Sequence, residues 1–470
     1  MDYPIARAVH QAEKASSTAE AAPRIGWTFT TIVVPRRWFA LFLRAARSLT
    51  SRLTREPAGL AVLGAAFFLA LFLRQPRVLL HAELWGEDGV LWYGEANHLG
   101  LAALLIPAAG YLNSLQRLVG LLAQPLPLTW VPTLFAAVAL VVQVLPAVFL
   151  VSSRMARVWP QQPARILFAL LYLALPADWE IFGNLTNSQW HLALLAFLVL
   201  MSDPPAGVAG RIFDAIVLVL CGISGPFGIL LTPVAAWQVL EQRRTSELWR
   251  LVVLTFPTLI QLGFLLAPHS GRSTAPLGAS LPLLLRILSL RIVLPAELGF
   301  WRVHRLYQTS LFRSEFFQTA VATAGVLVVL IGLTRGSALL RKFAMFAGAL
   351  LVCALLRPQT SIGQPQWPLL AEPYPSMRYF IIPILAWCAV LFALVTDRLM
   401  PLRGLGLVLL LILAVRAIPS DWREPRLAPT GFVARARTYA QAPAGARIEF
   451  PVDPPGFPPL VLTKPQLQAP

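Results

Sequence analysis

Charge is scarce in this chain: 13% of its 470 residues are Asp, Glu, Lys or Arg, and 57% are hydrophobic. A soluble domain carries about 25% charged residues. A water-soluble protein of this length is therefore excluded. Apolar runs recur from 57 to 418, which places the chain among polytopic helical membrane proteins. One bundle of spans absorbs such a length, so a series of soluble domains of about 100–200 residues is not expected.

Lysine is nearly missing. Lys14, Lys342 and Lys464 are the only three, so arginine carries almost all of the +17 net charge. With abundant Ala and Pro, that bias points to a GC-rich bacterial genome. The arginines fall between the apolar runs, the pattern of membrane topology, and no nucleic-acid partner is expected. Cysteine is limited to Cys221, Cys353 and Cys388, all inside apolar runs, which excludes a metal-ligand spacing and a disulfide framework. No signal-peptide pattern precedes the first run, so 1–56 read as a cytoplasmic arm. Within it, 38–53 alternates apolar residues with Arg44, Arg47 and Arg52. That stretch reads either as a helix on the inner leaflet or as a disordered arm.

A span needs about 20 apolar residues. The runs at 57–73, 129–151, 165–177, 189–202, 211–224, 226–240, 250–267, 316–334, 343–357, 379–396 and 403–418 make eleven. The stretch 111–126, "YLNSLQRLVGLLAQPL", is left out. Asn113, Gln116, Arg117, Gly120 and Gln124 fall on one helical face, and such a stripe predicts an interfacial helix. With it excluded, Arg154, Arg157, Arg165, Arg211, Arg243, Arg244, Arg335, Arg341, Lys342 and Arg398 all lie on the amino-terminal side, where short positive loops belong. The expected organisation is a cytoplasmic arm (1–56), a membrane domain (57–418) with an exterior loop at 74–128, and an exterior Pro-rich tail (419–470). The segment "LPLLLRILSLRIVLP" in 268–315 reads as another interfacial helix. The tail, with "FPVDPPGFPPLVL", has room for a strand or two but not a full domain.

Ionisable residues are also missing from mid-span. Asp214 and Arg416 lie near span ends, leaving Gln143 and Gln261, which read as interhelical hydrogen-bond partners. Ion-coupled transporters need intramembrane Asp, Glu or His, so this absence counts against one. The chain's four asparagines, Asn97, Asn113, Asn184 and Asn187, all fall in the first two exterior segments, and His81, His98, His191, His269 and His304 are exterior or at its edge. Costly polar residues on one face point to a site there.

The centre of that face is "LWGEDGVLWYGE" at 84–95, with Glu87 and Asp88 side by side just beyond the first span. Asp88 reads as a general base or as the cap of a helix starting at Gly89; Glu87 reads as an orienting neighbour. Trp85, Trp92 and Tyr93 read as interfacial belt aromatics, with sugar stacking as the alternative. Arg117 suits lipid headgroups or a donor phosphate. In "NLTNSQWH", Asn187, Gln189 and His191 suit a sugar or the cap of the fourth span, and Asn184-Leu185-Thr186 matches a glycosylation sequon. In "EPYPSMRYF", Arg378 and Tyr379 sit at the mouth of the tenth span, where Arg378 suits a phosphate or a snorkelling anchor. The trio Arg302, His304 and Arg305 has the same two readings.

An acid pair outside the first span, followed by interfacial helices, resembles the GT-C superfamily of polytopic glycosyltransferases that use polyprenyl-phosphate sugars. The resemblance is carried by Glu87-Asp88 in "WGEDG" and by "GYLNSLQRLVGLLAQP", and covers the architecture of 57–200 best. The "KPP"-type stretch that usually follows the acids is absent. The resemblance implies an all-α, GT-C-like integral membrane enzyme of about eleven spans. It implies inverting transfer to a glycan, lipid or protein acceptor on the exterior face of the bacterial inner membrane. The N-terminus would be cytoplasmic and the C-terminus exterior. A divalent metal is compatible with an acid pair but has no ligand cluster behind it. The alternatives are a lipid-linked sugar flippase or polysaccharide transporter, a glycan ligase, and a non-catalytic envelope scaffold.

Overall fold

The computed structural model describes residue 54 and residues 56–267, 272–361, 363–423 and 429–465. Residues 1–53 of the arm, with the expected leaflet helix over 38–53, and His269 lie outside the described residues. We number the longer helices α1 (Pro57–Arg74), α2 (Ser114–Leu122), α3 (Val131–Val151), α4 (Gln162–Leu173), α5 (Ser188–Met201), α6 (Val208–Gly222), α7 (Phe227–Gln242) and α8 (Thr245–Leu266). They continue as α9 (Leu281–Leu288), α10 (Glu315–Arg335), α11 (Ala338–Leu356), α12 (Ile381–Val395), α13 (Met400–Ile412) and α14 (Phe432–Gln441).

Each of the eleven expected spans falls on one of these helices, and the chain is a multi-pass helical membrane protein. Among the described residues, seven helices are long and apolar enough to cross a bilayer. The reasons are local. Pro57 opens α1 at a position where its missing N–H is not needed. Ser314 and Ser337 cap α10 and α11, accepting from Phe317 N at 3.4 Å and Leu340 N at 3.3 Å. Large apolar side chains point outward, as a hydrocarbon solvent requires: Phe256 is 70% exposed and Val415 59%.

Polar contacts gather at the two ends of the bundle. At one end Asp214 takes Arg154 at 2.7 Å and Arg250 at 3.0 Å, Lys342 pairs with Glu241, and Arg335 meets Asp397 at 3.1 Å. At the other, Arg74 makes two contacts to Asp178, at 2.7 and 2.5 Å, and Gln261 bonds the backbone of Leu112 and Gly225. Gln261 thus serves the loops rather than another helix. Gln143 does likewise, accepting from Gly183 N at 3.4 Å.

Three expectations need correction here. Helix α2 is 9 residues long, about 14 Å at 1.5 Å per residue, and it does not present its polar stripe to headgroups. Gln116 and Arg117 are fully buried against the protein, while Leu118 and Leu122 face outward. Trp92 and Tyr93 are core residues, 3% and 5% exposed, not belt aromatics. The segment after Ser280 is not purely interfacial either. Arg286 reaches Glu372 at 2.8 Å, and Arg291 is fully buried with its guanidinium on the carbonyls of Glu372 and Pro375.

The tail folds back onto the bundle. Helix α14 is followed by an antiparallel hairpin, β1 (Arg447–Phe450) with β2 (Leu460–Thr463), in which Arg447 faces Thr463 and Phe450 faces Leu460. Its docking is specified by backbone bonds from Asp453 N to Leu84 O (2.8 Å) and from Gly86 N to Asp453 O (2.7 Å). Gly89 makes this approach possible: a Cβ there would lie 2.8 Å from Val452 and 3.3 Å from Leu460. The acid pair is therefore roofed by the tail.

Candidate active site

Glu87 and Asp88 open a run of wide, π-type helical turns, Asp88–Gly94; such turns recur at functional sites. Asp88 does not cap this run. Its Oδ1 instead accepts from the Thr186 amide at 2.8 Å and the Thr186 hydroxyl at 2.7 Å. The same hydroxyl accepts from Trp92 Nε1 at 2.8 Å, so Trp92, Thr186 and Asp88 form one polarised chain. Asp88 is 2% exposed. Burial, opposed by the Thr186 hydrogen bonds, pushes its carboxyl up to about 7. Glu87 is half-buried. Burial raises its pKa as well, opposed by the charge of Arg378, and Glu180 adds like-charge repulsion.

The sequence candidates converge only in part. Arg378, 290 residues after Asp88, acts on Glu87 through its charge and is held in place by Glu180 of the second exterior segment. It is already engaged: its backbone N–H donates to Glu180 Oε2 at 2.9 Å, its guanidinium pairs with Glu180, and Nη2 donates to Gln359 O at 3.1 Å. Its side chain remains about a quarter exposed (27%). Tyr379 lies under the Arg378 guanidinium at 4.9 Å and accepts from Gln359 N at 3.0 Å. Gln189 hydrogen-bonds Tyr111 at the same centre, and its Oε1 has no partner among the described residues.

Other candidates are tied up in scaffolding. Asn187 donates to Glu180 O at 2.8 Å and to Asn184 Oδ1 at 3.1 Å. Asn184 Nδ2 donates to Glu180 O at 2.8 Å in a buried position, so the sequon is closed to solvent. Both ring nitrogens of His191 are occupied, Nδ1 by the Tyr172 hydroxyl at 2.8 Å and Nε2 by Ile181 O at 3.3 Å. Asn113 donates to Tyr111 O at 3.2 Å. Arg117 pairs with Glu95 at 2.8 Å over the face of Trp92, while its Nε and Nη2 have no partner among the described residues.

Sequence reasoning missed Glu180, Thr186, Tyr111 and Gln359. Thr186 was inside the quoted "NLTNSQWH", but nothing in its spacing announces a partner 98 residues away. Glu180 lay in the second exterior segment, two residues after Asp178, with nothing in its spacing to announce Arg378 as its partner. Among the described residues, no group of three or more His, Cys, Asp or Glu side chains is placed to hold a metal ion. Chemically the centre offers a carboxyl that titrates near neutrality, a second carboxyl, and a partly exposed guanidinium, at the end of an apolar bundle.

A separate cavity of about 750 Å³ flanks this centre, walled by Trp85, Trp179, Trp301, Tyr374 and elements of the tail. Compared with known proteins, this chain matches no family model, no curated sequence and no solved structure.

Proposed function

We propose that this chain is an inverting glycosyltransferase of the GT-C type. It would move a sugar from a polyprenyl-phosphate donor to an envelope acceptor at the exterior face of a bacterial cytoplasmic membrane. The reading includes eleven crossings with the amino terminus inside; the paired charges at one end of the bundle and the acid centre at the other support it.

The observation that carries the proposal is that the charge of Arg378, which stacks on Tyr379, acts on Glu87, the chain neighbour of the buried Asp88. A base works best with a pKa near the operating pH, and Asp88 titrates at about 7. In the proposed step Asp88 takes the proton of an acceptor hydroxyl. The acceptor oxygen bonds to the anomeric carbon from the face opposite the phosphate. The bond from that carbon to the phosphate oxygen breaks, and prenyl phosphate leaves. Arg378 stabilises the leaving phosphate, exchanging part of its contact with Glu180. Because Asp88 is roofed by the tail, acceptor entry requires the hairpin or the 84–95 segment to shift.

A flippase needs a polar path between the helices. The cavity of about 490 Å³ between the helices is instead walled mainly by apolar residues such as Leu150, Phe168, Leu194, Phe343 and Phe392, with Arg335, Ser337 and Thr396 coming from helix ends, which favours the enzyme. The test is transfer of labelled sugar from polyprenyl phosphate in membranes, alongside envelope glycans and lipid-linked sugars compared with and without the gene. Unchanged glycans and no transfer would sink the proposal.

A further inference from the structure

We propose that the 750 Å³ cavity beside the acid centre is a saccharide-binding site in which Trp85, Trp179, Trp301 and Tyr374 stack on sugar rings and Glu83 and Asp453 take hydroxyl hydrogen bonds. Its volume lies within the range of about 300–1,000 Å³ usual for ligand pockets. The aromatic wall is continuous: the Trp179 ring lies 6.4 Å from Trp85, 6.4 Å from Trp301 and 5.2 Å from Tyr374. Aromatic faces meet the C–H faces of pyranoses, and rings with a polar edge suit ligands that are half apolar and half wet.

The polar groups are of the matching kind. Asp453 Oδ1 is buried and has no partner among the described residues. An unpartnered buried carboxylate oxygen is costly, and a hydroxyl of a bound sugar would satisfy it. Burial, reinforced by Glu83, also pushes the Asp453 carboxyl up to about 7, so it serves as acceptor or donor. Glu83 accepts from Thr430, which ties the tail to the first loop at the cavity wall. Arg77, His81 and Arg437 line the same space and offset the two acids. A mixed, nearly balanced charge suits a neutral, many-hydroxyl ligand better than a phosphate or a polyamine.

Two sources supply such a ligand: a glycan entering from solvent, or the headgroup of a lipid-linked sugar. Binding is measured without turnover, so the inference stands or falls separately from the role of Asp88. The experiment uses the full chain in nanodiscs and saturation-transfer NMR. Maltotriose, chitotriose and mannotriose serve as soluble probes, and a short-chain prenyl-phosphoryl mannose as the lipid-linked probe. Transfer to ring protons of at least one trisaccharide is expected for the solvent route, and to the prenyl-linked sugar alone for the headgroup route. In either case Asp453→Asn and Trp301→Leu should each weaken binding about tenfold, equivalent to about 1.4 kcal/mol. Unchanged thermal unfolding of Asp453→Asn separates lost binding from lost fold. No transfer to any probe, or transfer that both variants leave unchanged, overturns the site.

Discussion

At the scale of single residues, Asp88 is where chemistry and environment meet most directly. Asp88→Asn keeps an oxygen to accept from Thr186 but removes the basicity, so transfer should fall about 10²–10⁴-fold while protein level holds. Glu87→Gln should cost less, because Glu87 faces Arg378 and Glu180 rather than the Thr186 bonds. In the wild type, transfer should rise with pH through about 7 as Asp88 loses its proton. Thr186→Val removes a hydrogen bond that favours the carboxylate, so that rise should move to higher pH, a shift that a purely structural Thr186 would not produce. Stability should run the other way. A carboxyl whose pKa is raised from 3.8 to about 7 holds a proton in the folded state that the unfolded state releases. Stability therefore declines between those values, by up to about 1.4 kcal/mol per pH unit. Thermal unfolding at pH 5.5 and 7.5 should show the lower pH as the more stable, with the difference reduced in Asp88→Asn. Arg378→Lys retains charge but loses the planar fork, which here spans Glu180 and the Gln359 carbonyl and which a phosphate would use; weaker donor binding is expected, and wild-type affinity would reduce Arg378 to the fixed counter-ion of Glu180.

At the scale of elements, α2 shows how a polar stripe is to be read. Its spacing was legible, but its direction was not. The stripe is buried because Arg117 finds Glu95, Gln116 donates to Thr186 O at 3.0 Å, and Gln124 bonds Tyr93 O at 3.3 Å. Those partners come from two other segments. Gly120 lies at the closest approach, where a Cβ would sit 2.1 Å from the Trp92 carbonyl oxygen. Backbone cannot yield as a flexible side chain does. Gly120→Ala should destabilise the protein by about 1–3 kcal/mol, read as a lower unfolding temperature in detergent, and it should disturb transfer through the Trp92–Thr186–Asp88 chain. An unaltered unfolding temperature would show that α2 is not packed as closely as described.

At the scale of the whole molecule, the eleven expected spans all fall on helices, of which seven among the described residues are long and apolar enough to cross a bilayer. Reporter fusions at Arg157, Arg244 and Lys342 should register as cytoplasmic, and fusions at Thr274 and after Asp421 as exterior. A cytoplasmic tail would remove the roof from the acid pair and reverse the proposed topology.

Composition and periodicity by themselves determined the class of molecule and the place of its helices. Hydrophobic length against bilayer thickness is a one-dimensional criterion, and it needs no contacts. The acid pair was also conspicuous in the sequence, because two carboxylates beside an apolar run are expensive anywhere. Only the tertiary structure decided what those acids face. Thr186 is 98 residues from Asp88, Arg378 lies 290 beyond it, and Asp453 returns from the tail to bond Leu84 and Gly86. Hydrogen bonds and ion pairs act over a few ångströms in space, whatever the separation along the chain. Candidates that looked equally polar in sequence were therefore sorted by the fold into a buried scaffold, as for Asn184, Asn187 and His191, and a titratable centre around Asp88.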